Sequence, residues 1–394
     1  MNHRQDELRI SVLSQMDPAN PRTNSIADLR LCAGLAVQGH KVELVVPGIT
    51  KPKPEIATLF ATYGIDPSFE IRYLPVPSSW GPRGLRIFLP LLAHHALGAL
   101  RPSRSPIVLS RDARLLLPYT AAGRSRLRRI VTAPWLHEFR GTRLERLVCA
   151  SSTCVLATNT AILRDLRGDG HREPRAFVTG NPVPQERVEF GQTYRRQDAR
   201  RRLGLDGRRP IVAYTGKLYL GMRELEHLLA AAARLPDCLF VLTGGQPPVI
   251  TQLTHELRER GLENVHLAGM LASPEETRFY QQAADTLVTY YSRVDHPYAH
   301  HNLPNKLPEY MTTGNAVVAA DFAAVRDLLN SENSILVKPD DVDALTDALR
   351  DAIRRPDRAA ALGKRAQRDI AARTSETVGA ELGEFFGRQA RYLS

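Results

Sequence analysis

Residues 210–245, PIVAYTGKLYLGMRELEHLLAAAARLPDCLFVLTGG, hold a strand, a helix and a second strand in succession. PIVAYTGK and CLFVLTGG are short apolar runs closed by glycine, which read as buried strands, while 223–235 reads as the helix between them. Two parallel strands need such a crossover, so the stretch is the unit of a doubly wound sheet. The same alternation continues through a helix at 248–260, ENVHLAG, a helix near 274–283, TLVTYY, a helix from about 305, NAVVAAD, a helix near 323–329 and SILVKP. In such a sheet ligands bind at the carboxyl ends of the strands, and the loops after Tyr214, Leu242, Leu267 and Tyr290 are expected to face one crevice.

Toward the N-terminus, RISVLSQ (9–15) is a β-rich apolar run, and SIADLRLCAGLAVQGHKVELVV (25–46) opens with a helical stripe at Ile26, Leu29, Ala33 and Ala36. Gly39 stops that helix and Lys41 to Val46 forms the next strand. Further strands fit at 70–74, 106–109, 129–132 and 153–157, giving a second sheet of the same kind. From 341 onward the sequence is helical, and terminal helices of this sort brace two domains. With 394 residues and 43% hydrophobic content the chain is long enough for two cores. The expected division is 1–190 as a first Rossmann-like domain, 191–372 as a second, and 373–394 as a helix crossing back to the first.

The four cysteines lack the spacing of a zinc knuckle or a redox dithiol, and the N-terminal MNHRQDELRISVLSQ lacks the form of a secretory signal. A cytoplasmic protein is expected. The longest apolar run, 87–100, is interrupted by Pro90, His94 and His95 and falls short of the roughly 20 residues that span a bilayer. A net charge of +11 points to anionic partners. Basic clusters at 124–129 and 195–209 carry no aromatic interleaving or nucleic-acid motif, so nucleic acid is not expected as a partner. The run 84–104, apolar with cationic ends, is a candidate for weak peripheral contact with acidic lipid at the inner membrane face, or else an ordinary crossover helix.

Chemistry concentrates in NLPNKLPEYMTTG (302–314), where Pro304 sits near a helix start, Lys306 lies in the first turn and Glu309 follows three positions later. Backbone N–H groups, the helix dipole and a lysine suit a diphosphate, and a carboxylate one turn on suits two ribose hydroxyls. The same spacing fits a capped helix with a surface ion pair. Asp295, His296, His300 and His301 offer metal-ligand types, but in a loop without a zinc architecture, so no metal and no cofactor are expected.

The segment NLPNKLPEYMTTGNAVVAAD (302–321) resembles the donor-binding segment of the family 4 glycosyltransferases. GHKVELVV (39–46), YTGKLYLGMRELEHLLAAAARLPD (214–237), FVLTGG (240–245), NVHLAGMLASPEETRFYQQAAD (264–285) and ILVKPDDVDALTDAL (335–349) agree with that family in order. The resemblance implies the α/β GT-B fold: two Rossmann-like, doubly wound parallel-sheet domains facing a central cleft, the first binding acceptor and the second a nucleotide-sugar. It also implies a retaining transfer of a hexose-type sugar, UDP being the guessed carrier, to a glycan, glycolipid or small natural product. Residue by residue it makes Glu309 the ribose carboxylate, and sets Lys306 and the backbone of Leu303, Pro304 and Asn305 by the phosphates. Gly216 and Lys217 meet the diphosphate with Arg223 as a further cation, Gly244 allows close approach, and Met270 and Leu271 touch the base. Lys217 and Lys306 thereby become catalytic through the leaving group, and His137 becomes catalytic on the sugar and acceptor side.

Two positions depart from the family. A glutamate eight residues before the ribose carboxylate is common, and here that position is His301. The paired glycines after the first strand are replaced by NPRTNS (20–25), where Asn24 and Ser25 either reach a phosphate or cap the helix. Arg111 and Asp112 are candidate acceptor contacts, or else a surface ion pair. Two other readings stand beside the transferase: a nucleotide-sugar epimerase on the same fold, and a catalytically silent nucleotide-sugar-binding protein.

Overall fold

The computed structural model describes residues 7–15, 23–48, 55–75, 107–123, 130–168, 175–205, 207–273 and 276–393. The chain divides into two units, Met1–Pro182 with Arg373–Ser394, and Val183–Ala372. Described strands of the first unit are β1 (Arg9–Leu13), β2 (Lys41–Gly48), β3 (Glu70–Pro75), β4 (Ile107–Ser110), β5 (Val131–Leu136), β6 (Val155–Ala157) and β7 (Ala176–Val178). They pair in parallel in the order β3-β2-β1-β4-β5-β6-β7. IVLS of β4 and VTAPWL of β5 are buried at every position, as strands covered on both faces must be. Helix Thr23–Ala36 buries Leu29, Cys32, Leu35 and Ala36, with Ile26 and Ala33 packed at the margin. The last helix, Ser375–Leu393, puts Leu382, Phe385 and Phe386 into the same core.

In the second unit β8 (Ile211–Thr215), β9 (Leu239–Thr243), β10 (Val265–Gly269), β11 (Thr286–Thr289), β12 (Ala316–Ala320) and β13 (Ile335–Val337) pair in parallel as β10-β9-β8-β11-β12-β13. Helix Arg223–Arg234 buries Leu225, Leu228, Leu229, Ala231 and Ala232 against this sheet. Strand order reverses between β8 and β11, and their following connections diverge, which opens a crevice beyond the carboxyl end of β8.

Several elements differ from their sequence expectation. The helix expected from about 305 is the short Lys306–Thr312, the one near 274–283 is Thr277–Ala283, and 323–329 contains only a 3-10 turn at Val325–Asp327. Strand β7 and the helices Gln185–Thr193 and Arg196–Leu203 carry no clear apolar period. Polar anchoring holds the last of these instead. Arg196 and Arg200 donate to Asp285 at 2.8 and 2.5 Å, and Asp285 also accepts from the Ile211 amide at 2.7 Å. Two charges of the 195–209 cluster are thus engaged inside the unit.

The basic cluster 124–129 and the run 84–104 lie outside the described residues. Among the described residues no helix is long and apolar enough to cross a membrane. All four cysteines are buried thiols.

Candidate functional site

At the carboxyl edge of the second sheet three strand ends close on one another. The Gly216 amide donates to the Thr243 carbonyl at 3.3 Å, and the Gly244 amide to the Gly269 carbonyl at 2.7 Å. Gly244 has φ +106°, and a Cβ placed on it would lie 1.8 Å from the Gly216 carbonyl oxygen. Only glycine permits that approach. The helix Lys306–Thr312 is tied to the same edge through buried Tyr310, whose hydroxyl accepts from the Thr215 amide at 2.8 Å.

Lys306 crosses from this helix to the β8 end. Its ammonium lies 3.6 Å from the Tyr214 ring centroid, 5.3 Å from that of Tyr291 and 3.7 Å from Glu224 Oε1. A Cβ on Gly216 would come within 3.0 Å of it. Burial pushes the Lys306 pKa down to about 8, against the opposing pull of Glu224. Burial likewise raises Glu224, with Lys306 acting in the other direction. Lys217 is exposed, and its carbonyl accepts from the Tyr214 hydroxyl at 3.2 Å.

Glu309 is oriented by a polar chain. Its Oε2 accepts from Gln281 Nε2 at 3.2 Å, and the same amide donates to Thr215 Oγ1 at 3.1 Å. Gln281 Oε1 accepts from buried Arg187 at 2.7 Å, and Arg187 stands 3.9 Å from Glu309. One edge of the carboxylate is thereby fixed next to the end of β8.

The structure thus gathers Gly216, Lys217, Gly244, Lys306 and Glu309 around three strand ends. Met270, which follows Gly269, is exposed and accepts a weak contact from Gln246 at 3.6 Å, and Leu271 is half-buried. Exposed Arg223 begins its helix, its amide donating to Asp295 Oδ2 at 2.7 Å. Leu303 and Pro304 are buried, and Pro304 has no N–H, so the expected amide cradle can use only Leu303 and Asn305 of that trio. His301 is buried in the turn Ala299–His301, its ring 4.0 Å from that of His300.

The first unit holds a separate cluster at its own strand ends. Arg111 pairs with buried Asp28 at 3.6 Å, and Ser14 Oγ donates to Asp28 at 2.7 Å. The guanidinium lies 5.5 Å from the Trp135 ring, and the His137 ring lies 4.5 Å from it. Burial, reinforced by the Arg111 charge, holds the His137 pKa well below the usual imidazole value, so the ring is neutral at pH 7.

Two expectations are corrected here. Arg111 and Asp112 do not form an ion pair with each other: Asp112 binds Arg114 at 2.7 Å and Arg111 turns inward to Asp28. Ser25 does not cap its helix, which begins at Thr23; its buried hydroxyl has no hydrogen-bond partner among the described residues. Asn24 lies in the same helical turn.

Glu224, Gln281 and Arg187 were not among the sequence candidates. Glu224 had a signal, since it precedes Leu228, Ala231 and Leu235 at helical spacing and so sits as a carboxylate on an apolar face. Gln281 and Arg187 lie 94 positions apart and meet only in the fold.

Comparison with known proteins bears on this arrangement. A glycosyl transferase 4-like domain model matches residues 28–182, and the glycosyl transferases group 1 model matches 209–355. No curated protein matches the chain in sequence. Among solved structures, sucrose-phosphate synthase from Thermosynechococcus elongatus is similar with a TM-score of 0.78 at 19% identity, over 98% of this chain and 100% of that one. Anabaena HepE in complex with UDP-glucose superposes with a TM-score of 0.71 at 17% identity, over 97% and 100%. A glycosyltransferase from Rickettsia africae gives 0.74 at 11%, over 99% and 100%. These likenesses concern the fold. The two family models follow each other in the order of the two sheets and together cover most of the sequence, so the chain is a glycosyltransferase of GT-B fold, built from a glycosyl transferase 4-like domain followed by a glycosyl transferases group 1 domain.

Proposed function

We propose that this enzyme is a retaining glycosyltransferase that moves a hexose-type sugar from a nucleoside diphosphate sugar, UDP first among the carriers, to an acceptor hydroxyl without a metal ion. One observation carries the reading: the Lys306 ammonium stands against the Cβ-free face of Gly216, while Glu309 is fixed beside Thr215 at the same strand end. An ammonium there suits a diphosphate, and a carboxylate suits two vicinal ribose hydroxyls. The UDP-glucose complex of the HepE structure supports testing UDP first.

In this mechanism the bond between the anomeric carbon and the diphosphate oxygen breaks and its electron pair stays on the diphosphate. Lys306 and Lys217, with Arg223 beside them, meet the growing charge. The acceptor hydroxyl oxygen bonds to the anomeric carbon on the face the diphosphate leaves, and its proton passes to the departing phosphate oxygen. Retention follows, and the products are a nucleoside diphosphate and a glycoside. His137, neutral at pH 7, acts on the sugar or acceptor as a hydrogen-bonding group. The acceptor in this reading is a glycan, glycolipid or small natural product met in the cytoplasm.

Titration calorimetry with uridine, UMP and UDP tests the site. Lys306→Ala and Lys217→Ala should weaken UDP by about 10- to 100-fold and uridine little, as expected for hydrogen bonds to charged groups. If both variants bind UDP as the parent does, the donor site lies elsewhere. Release of UDP from UDP-glucose in excess chelator, with the product anomer read by NMR, decides metal independence and retention.

A further inference from the structure

Of the 53 Lys and Arg residues only seven are lysines, and one of them, Lys306, has its ammonium buried at the strand ends of the second unit. An isolated ammonium in such a place sheds its proton, and a neutral amine cannot offset phosphate charge. Something must keep Lys306 charged before a donor arrives. The charged and titratable groups around it are few. Glu309 shares its helix but is held by Gln281 and approached by Arg187. Asp295 and His296 come from the segment after β11; Asp295 receives the Arg223 amide, and burial keeps His296 below its ordinary pKa. Tyr214 and Tyr291 present ring faces, and burial raises both hydroxyls well above their ordinary range.

Glu224 is the nearest carboxylate, at 3.7 Å, just beyond hydrogen-bond length. It is buried on the apolar face of its helix, where a leucine or alanine would otherwise pack. That geometry gives charge without a tight grip: the ammonium has no hydrogen-bonded partner among the described residues and borders the Cβ-free face of Gly216.

We propose that Glu224 is a positioning residue of the donor site, a built-in counter-ion that keeps the Lys306 ammonium charged and beside Gly216 until a diphosphate takes over its charge. This rests on the reading of Lys306 as a diphosphate ligand. It assigns to a glutamate that touches no substrate the pH range over which the enzyme binds its donor.

NMR of protein labelled at the lysine ε-carbon reads the charge directly, since seven lysines give few signals and Lys306→Ala identifies the one that matters. The Lys306 titration midpoint should fall in the order parent, Glu224→Asp, Glu224→Gln, with the glutamine variant at least one pH unit below the parent. The aspartate variant keeps the question open to experiment should the glutamine variant fail to fold. Midpoints that agree within a few tenths of a unit across the variants overturn the proposal.

Titrating UDP-glucose, which has no phosphate monoester to titrate, supplies the functional arm. Parent and Glu224→Gln should bind alike at pH 6 and separate by about eightfold or more at pH 8.5, whereas equal affinity at both pH values again counts against Glu224. If instead Lys306→Ala binds UDP-glucose as the parent does, the donor-site reading fails, while the NMR series still decides whether Glu224 sets the charge of Lys306.

Discussion

Gly244→Ala should be the most damaging single-methyl change in the second unit. The new Cβ would sit 1.8 Å from the Gly216 carbonyl oxygen and 2.8 Å from its carbon, against an ordinary nonbonded separation of about 3.5 Å. Backbone is what it meets, so no side chain can swing aside. The Gly216–Lys217 segment must move by more than about 1 Å, a displacement that costs on the order of 100-fold where groups must be held for reaction. To this is added the strain of a side chain at φ +106°, roughly 1 to 3 kcal/mol.

Gly261→Ala isolates the strain. Gly261 also has positive φ, +65°, but nothing lies within 4 Å of a Cβ there, so only about 1 to 2 kcal/mol should be lost. Thermal denaturation and calorimetric titration of UDP on both variants make the comparison. Gly261→Ala should melt lower and bind UDP as the parent does, while Gly244→Ala should melt lower still and bind UDP at least tenfold more weakly. Parent-like affinity in Gly244→Ala would show that the approach of β8 and β9 is not what shapes the site.

Glu309→Gln should weaken uridine and UDP alike by about 1 to 3 kcal/mol in calorimetry, since a charged acceptor for ribose hydroxyls is lost, and should matter less for a dideoxyribose analogue. Donor affinity should be highest below pH 8 and fall as pH rises through it, by up to tenfold per unit, because the free enzyme loses the Lys306 proton near pH 8 and the diphosphate binds the charged form; calorimetry with UDP-glucose from pH 6 to 9.5 checks the sign. Asp285→Ala breaks two arginine contacts and the Ile211 amide contact, leaving buried Arg200 without its carboxylate, and should cost about 3 kcal/mol, or roughly 6 to 12 °C in melting temperature by calorimetric scan.

Legibility in the sequence followed the physical source of each element. Strands such as IVAYT and LFVLT, apolar up to a closing threonine, and helices such as Arg223–Arg234, with an apolar stripe, can be read because burial alone selects most of their residues. The helix Arg196–Leu203 has no such stripe: of its eight residues only Ala199 and Arg200 are buried, and its place is fixed by Asp285, more than eighty positions away. Strand β7 is three half-buried residues at a sheet edge, too short to show any period.

The candidate site divides in the same manner. Gly216, Gly244, Lys306 and Glu309 stand at strand ends and in one helical turn, where local spacing already implies their neighbourhood. What tunes them comes from elsewhere. Gln281 spans 28 positions to reach Glu309 and 66 to reach Thr215, and Arg187 reaches Gln281 from 94 positions away. Glu224 stands between these cases. Its helix phase is readable, and a carboxylate on a phase otherwise given to leucine and alanine asks for a buried cation. Only the fold supplies that cation, since Lys306 lies 82 positions later on a helix that Tyr310 pins to the end of β8. Groups that contact a ligand can be marked by local pattern because the ligand is small and the strand ends that meet it are alike. The groups that set their charge and orientation are chosen by whatever packs behind them, and this depends on how the whole sheet is wound.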